Sequence, residues 1–207
     1  MKIIKQSFEI LTPMQNELEL LEWWEKIARV CYKSENRIKP GSAVKLFNKL
    51  KYQLKHESIF EHINFTVKFI TNRGFTHELV RHRIASFSQQ STRYVIPNRE
   101  EGISVILPVW FGINTKDEEF ETWTKSMIVS ENSYFKLLKD GQTPEQARGV
   151  LPIDLKTEIV VTANLREWWH ILKLRTSKEA HPQIRSLMLD LEKKFKEDYP
   201  ILFGKEK

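Results

Sequence analysis

Residues 63–69 alternate without a break: Ile63, Phe65, Val67 and Phe69 are apolar, while Asn64, Thr66 and Lys68 are polar. Successive side chains on a strand point to opposite faces, so the segment predicts a strand with one dry and one wet side. A sheet built on such a strand is typically antiparallel and takes its cover from one side. Helices must supply the cover. Met14, Leu18, Leu21, Trp24, Ala28 and Cys31 share a helical face behind Thr12-Pro13, read as N-cap and first helical residue. Gly41-Ser42 opens a second helix, with Val44, Phe47, Leu50 and Leu54 inward. Residues 117–138 predict a long amphipathic helix with Phe120, Trp123, Met127, Tyr134 and Leu138 on one side, stopped by Asp140-Gly141.

Further elements follow the same logic. Residues 2–11 read as a strand, and residues 158–163, β-branched and apolar, as another. Tyr94-Val95-Ile96 and residues 103–107 are short strand candidates. Ser58-Ile59-Phe60-Glu61 has the spacing of a capping box. Thr76 is placed to cap a helix running through Arg81 to about Ile84, after which the polar residues 86–91 leave regular structure. Thr143-Pro144 starts a short helix that ends before Pro152. Asn164 caps a helix through about Arg175, and His181-Pro182 opens a last one, with Ile184, Leu187, Leu191 and Phe195 inward, ending near Pro200. Few strands among long helices predict a mixed α+β fold: one domain over residues 1–207, with a central, mostly antiparallel sheet flanked by long helices.

With 207 residues, 41% hydrophobic and 29% charged, the chain can bury a sizeable core. No apolar run reaches the ~18 residues of a membrane span, and the N-terminus lacks the apolar core of a signal peptide, so a cytoplasmic protein is expected. The single cysteine, Cys31, excludes an internal disulfide framework and reads as a buried small hydrophobe. A net charge of +6 suits anionic partners. The basic residues are scattered among acidic ones, which weakens a nucleic-acid reading.

Residues 81–94 stand out chemically. Arg81-His82-Arg83 gathers three basic groups, and a loop with three serines, Gln89, Gln90, Thr92 and Arg93 follows. Guanidinium groups match phosphate oxygens, and hydroxyls and amides can orient a base. The competing reading is a solvated basic helix end suited to the helix dipole. Four histidines, His56, His62, His77 and His82, cluster upstream. His77 and His82 are five apart and do not share a helical face, so no metal site is expected. Arg166 and His170 are four apart on one face of a later helix, with Trp169 and Leu172 on its dry side.

Arg81-His82-Arg83, seven residues and then Ser91 resembles the signature of the flavin-dependent thymidylate synthases. The flanks agree. His56-Glu57-Ser58-Ile59-Phe60-Glu61-His62 resembles the family's upstream flavin-contacting segment, and Ala147-Arg148-Gly149-Val150-Leu151-Pro152 its Ala-Arg-x-x-Leu-Pro segment. Asn164-Leu165-Arg166 and Arg175, followed by His181-Pro182-Gln183-Ile184-Arg185, resemble its C-terminal block.

The resemblance implies a homotetramer with active sites shared between chains. It implies FAD as cofactor, dUMP as methyl acceptor, methylenetetrahydrofolate as carbon donor and NADPH as reductant, with neither nucleic acid nor membrane as partner. By the same resemblance Ser58, Arg81, His82, Arg83 and Ile84 lie along FAD, joined by Asn164, Leu165, Arg166 and His170. Gln89, Gln90, Ser91, Thr92 and Arg93 form a dUMP cradle, with Arg148 as a second cationic anchor, Gln89 also near the flavin and Arg81 near dUMP. Glu78 approaches the nucleotide or the flavin from the same helix. Arg175 sits against the uracil ring as the catalytic residue, and no cysteine nucleophile is needed. Glu78, Gln89 and His170 replace residues more usual in the family, each keeping hydrogen-bonding capacity.

Overall fold

A computed structural model describes residues 1–97, 100–111 and 118–204 of the chain. Two antiparallel nine-residue strands form its spine. β3 (Asn64–Asn72) pairs with β6 (Lys156–Asn164) from Asn64 opposite Asn164 to Asn72 opposite Lys156. β2 (Ser7–Ile10) lies outside β3, and β4 (Ser86–Gln89) outside β6, both antiparallel. The alternation in residues 63–69 does what its period demands: Phe65, Val67 and Phe69 are buried together with Ile159, Val161 and Ala163 of β6.

Helices cover this dry face. α1 (Glu17–Val30) and α2 (Ser42–Asn48) pack on each other, and a π-helical stretch continues α2. α3 (Arg73–Leu79) follows β3 directly, and α6 (Leu165–Arg175) follows β6 directly. α7 (Pro182–Asp198) and the short α8 (Pro200–Phe203) close the layer. The core is aromatic. Trp24 stacks on Phe60 with centroids 5.3 Å apart, and Trp168 sits edge-on to Phe195. Both indole N–H groups find backbone acceptors, Trp24 on Ile59 O and Trp168 on Phe65 O, each at 3.0 Å, so neither ring buries an unpaired donor.

A smaller unit sits beside the spine. β1 (Lys2–Ile4) pairs in parallel with β5 (Ser104–Ile106), under α4 (Glu118–Lys139). Its core is Ile103, Val105, Met127 and Leu155, flanked by Trp123, Phe135 and Leu151. Gly141, with φ +92°, takes the left-handed conformation that ends α4. α5 (Pro144–Ala147) carries a complete capping box between Thr143 and Gln146. Among the described residues no helix is long and apolar enough to cross a membrane.

The α+β architecture with its antiparallel sheet is as expected, and several local expectations fail for identifiable reasons. Residues 2–11 form two strands in different sheets, because the Gln6 amide turns aside to bond Gln183 O and Gln183 Nε2. Asn16, not Thr12, caps α1: the Thr12 hydroxyl accepts the Thr66 N–H at 2.6 Å instead. Leu21, Trp24 and Ala28 are buried as predicted, but Met14 and Cys31 are exposed, since α1 begins and ends inside the predicted span, and Leu18, in the first turn of α1, is exposed as well. Leu54 is likewise exposed. Ser58 lies within a 3-10 segment (Glu57–His62) that has no side-chain cap. Asn72 rather than Thr76 caps α3, which stops at Leu79. Residues 86–89 are a strand, and Tyr94, Val95 and Ile96 are exposed outside any strand. The predicted α4 start at Asp117 lies outside the described residues; Glu118 onward is helical.

Candidate active site

α3 and α6 begin at opposite ends of the β3–β6 pair, each capped by the last residue of its strand. The Phe75 N–H donates to Asn72 Oδ1 and the Glu167 N–H to Asn164 Oδ1, both at 2.8 Å. The C-terminal ends of the two helices meet. After Leu79 the chain tightens: the Arg81 N–H reaches Glu78 O at 3.3 Å and the His82 N–H reaches Leu79 O at 3.2 Å. This turn leaves Arg81 and Arg83 exposed and swings the His82 ring inward, where it is 5% exposed.

Arg175, the last residue of α6, grips this turn with all three nitrogens. Nε donates to His82 Nε2 at 3.0 Å, NH1 to the Glu78 carboxylate at 2.8 Å and NH2 to the Glu78 carbonyl at 2.8 Å. His82 Nδ1 lies 3.2 Å from the Glu167 carboxylate. Burial, then the neighbouring Arg175 and His170, lower the His82 pKa to about 4, so the ring is neutral near pH 7 and its link to Glu167 is a hydrogen bond rather than an ion pair. Burial also pushes the Glu167 carboxyl above its ordinary value. Donor atoms of His82, Glu167 and His170 lie within 4.8 Å of one another, the spacing of a metal site. His82, however, spends both nitrogens on Arg175 and Glu167.

On one side of this centre lies an open cleft of about 470 Å³, lined by Ile84, Asn164, Arg166, His170, Trp169 and Lys173 with Glu57, Glu61 and Glu167. Arg166 bridges the acids, meeting Glu57 at 3.2 Å and Glu61 at 2.8 Å. On the other side, strand β4 leads into a cavity of about 170 Å³ lined by Gln90, Ser91, Thr92, Lys156, Thr157 and Tyr134, among others. A second cavity of about 170 Å³ shares Thr92, Leu151 and Leu155 with it and is faced by Arg73, His77 and Arg148. Arg73 NH1 is buried with no partner, and burial followed by repulsion from Arg148 pulls its pKa down. Two cations facing one small cavity make a receptor for an anion.

The family model described as "Thymidylate synthase complementing protein" matches residues 16–201. The chain belongs to that family. Among relatives named flavin-dependent thymidylate synthase, the Pyrococcus abyssi protein is 42% identical over 133 residues, covering 64% of this chain and 54% of its own length. The chain thus spans about half the length of that relative. The Geobacter sulfurreducens protein is 36% identical over 182 residues, covering 85% of this chain and 77% of its own. Among solved structures, a UMP/dUMP methylase, PolB from Streptomyces cacaoi bound with 5-Br dUMP, superposes with a TM-score of 0.79 at 24% identity, covering 98% of this chain and 95% of its own. That likeness shows a shared fold.

Within this thymidylate synthase family member the residues singled out by sequence fall into three groups. Ile84, Asn164, Arg166 and His170 share the cleft; Gln90, Ser91 and Thr92 share the cavity; Glu78 and His82 are both bonded by Arg175. Arg148 donates to Thr92 Oγ1 at 3.4 Å, while Arg93 leans outward to Glu145 at 3.0 Å. The Gln89 amide donates to the Thr76 and Thr157 hydroxyls. Leu165 is fully buried and its N–H donates to Ile63 O at 2.7 Å, so it lines neither space. Ser58, Arg81 and Arg83 are exposed and line neither space. Sequence reasoning missed Arg73, Lys173 and Glu167. Glu167 carried a usable signal, lying three residues before His170 and therefore on the same helical face.

Proposed function

We propose that the chain is a flavin-dependent thymidylate synthase. It would convert dUMP to dTMP with methylenetetrahydrofolate as carbon donor and NADPH as reductant through FAD. The unit would be one domain over residues 1–207, assembled as a homotetramer with shared active sites. Arg175 carries the reading. A guanidinium has five N–H donors; three are committed to His82 and Glu78, and two remain for a ligand. Held in place, these face a pyrimidine ring and stabilise negative charge as its N3 proton leaves, without reorganisation during the reaction. Cys31, exposed at the end of α1, takes no part in the site's contacts.

The cleft's donor set fits FAD. Arg166 and Lys173 offer cations to a diphosphate, Asn164 an amide, and Trp169, His170 and Ile84 surface for rings. Ser58, Arg81 and Arg83 add exposed donors. When bound, reduced FAD supplies the hydride that completes the methyl group. Gln90, Ser91 and Thr92 hold the nucleotide, Gln89 anchors the start of that cradle, and Arg73, Arg93 and Arg148 take its phosphate. The names of the Pyrococcus and Geobacter relatives and the nucleotide of the PolB structure support this substrate class.

The test is tritium release from 5-labelled dUMP with FAD, NADPH and methylenetetrahydrofolate. Release that depends on all three is the expected result. No release from folded protein with bound flavin would refute the proposal.

A further inference from the structure

We infer that Glu167 is a positioning residue: its carboxylate dictates which nitrogen of His82 carries the proton, and thereby locks the plane of the Arg175 guanidinium. The consequence for catalysis rests on the proposed role of Arg175; the geometry does not. Arg175 Nε can only donate. It lies 3.0 Å from His82 Nε2, so that nitrogen must present its lone pair. A neutral ring with a bare Nε2 carries its proton on Nδ1. Nδ1 lies 3.2 Å from Glu167 Oε1, an acceptor. Every link in the series therefore runs one way: Arg175 donates to His82, and His82 donates to Glu167.

The opposite tautomer fails at both ends. Two N–H groups would confront each other at Arg175, and two lone pairs would confront each other at Glu167. In that arrangement Arg175 loses its Nε bond, and only its two bonds to Glu78 remain to hold the guanidinium.

Placement reinforces the assignment. Glu167 is 6% exposed, in the first turn of α6, with its own N–H capped by Asn164. Arg175 lies eight residues further along the same helix, about 12 Å away. The His82 ring, arriving from the turn after α3, spans that gap and couples the two ends of α6. The carboxylate has to stay fixed for the guanidinium to stay fixed, although the two never touch. In metal sites, a partner that orients an imidazole through its far nitrogen is typically worth about 10–100-fold in affinity or activity, and a loss of that order is expected here.

The experiment uses the whole chain, labelled with ¹⁵N in histidine and arginine, without added ligands. Long-range ¹H–¹⁵N spectra report the tautomer of His82, assigned by loss of its signals in His82→Asn. We expect the Nδ1–H form in the wild type and in Glu167→Gln, whose amide oxygen still accepts. Glu167→Leu should show mixed tautomers and a broadened Arg175 Nε–H signal. Thymidylate formation should fall about 10–100-fold in kcat for Leu and recover largely for Gln. A wild-type ring protonated on Nε2 overturns the inference even if the Leu variant does not fold. So does a Leu variant that keeps the pure Nδ1–H form with an unchanged Arg175 signal. Absence of thymidylate formation in the wild type would count against the proposed function alone, because the tautomer measurement stands without it.

Discussion

The two sides of the site rest on different foundations. Arg175, His82 and Glu167 belong to elements packed on the large aromatic core, where Trp168 and Phe195 are fully buried. The side proposed to hold the nucleotide rests on the smaller cluster of Ile103, Val105, Met127 and Leu155. Leu155 itself lines both cavities there. Arg175 has every nitrogen engaged, whereas Arg93 is roughly half exposed and Arg148 holds one long bond. The contrast assigns rigidity to the group proposed to polarise a ring, where small displacements are expensive. It leaves room for adjustment on the side proposed to grip a phosphate by charge.

Several substitutions would break or sharpen this contrast. The largest effect belongs to the big core. Trp168→Ala should destabilise the chain by about 3–5 kcal/mol in urea unfolding, and Leu155→Ala by nearer about 2 kcal/mol, with the Leu155 variant losing dUMP affinity while keeping flavin. Equal losses in both properties for both variants would erase the distinction. Next, Arg175→Ala should lower the rate of tritium release by about 100–1000-fold with flavin still bound. Arg148→Ala should act instead on KM for dUMP, raising it by about 10-fold or more, because a charge-assisted bond to a ligand is lost while the rigid centre is untouched. A fall in kcat alone for Arg148→Ala would place it on the wrong side of the comparison.

The smallest effect is a pH dependence. The pKa of His82 drops from 6.5 to about 4 on folding. Between these values the unfolded chain binds more protons than the folded one, so stability rises with pH across the window and is lost as pH falls from 6.5 toward 4. Unfolding midpoints measured at pH 7 and pH 5 should differ less in His82→Asn than in the wild type. An unchanged difference would show that other groups carry the acid sensitivity.

Much of the scaffold was legible because its signals are local. The alternation of β3, the Asn164 cap of α6, the Thr143-Pro144 start of α5 and the glycine after α4 each act within a few residues. β4 escaped notice because an edge strand with Ser86 and Ser88 exposed has no apolar alternation to betray it. Asn72 was overlooked as a cap because Thr76, four residues on, offers the same cap chemistry ahead of the basic residues that follow. At the site, family resemblance named most of the residues that the fold brings together. It could not reveal what holds them. Glu78 and Arg175 are 97 positions apart, and His82 and Glu167 are 85 apart. Nothing in a local window makes a glutamate look buried or an arginine such as Arg73 look unpaired.

The handover from strand to helix at Asn72 and Asn164 has a consequence for how such a chain tolerates change in length. Each central strand serves as a gauge block for the helix it feeds. Adding one residue to β3 or β6 would carry the start of the following helix about 3.3 Å further and swing it toward the opposite face of the sheet. Arg175 and Glu78 would then miss each other, although no residue near them had changed. The ledger of permissible insertions is therefore written in the middle of the sheet: surface turns such as that at Gly141 can lengthen freely, while the two spine strands must be inherited at fixed length or not at all.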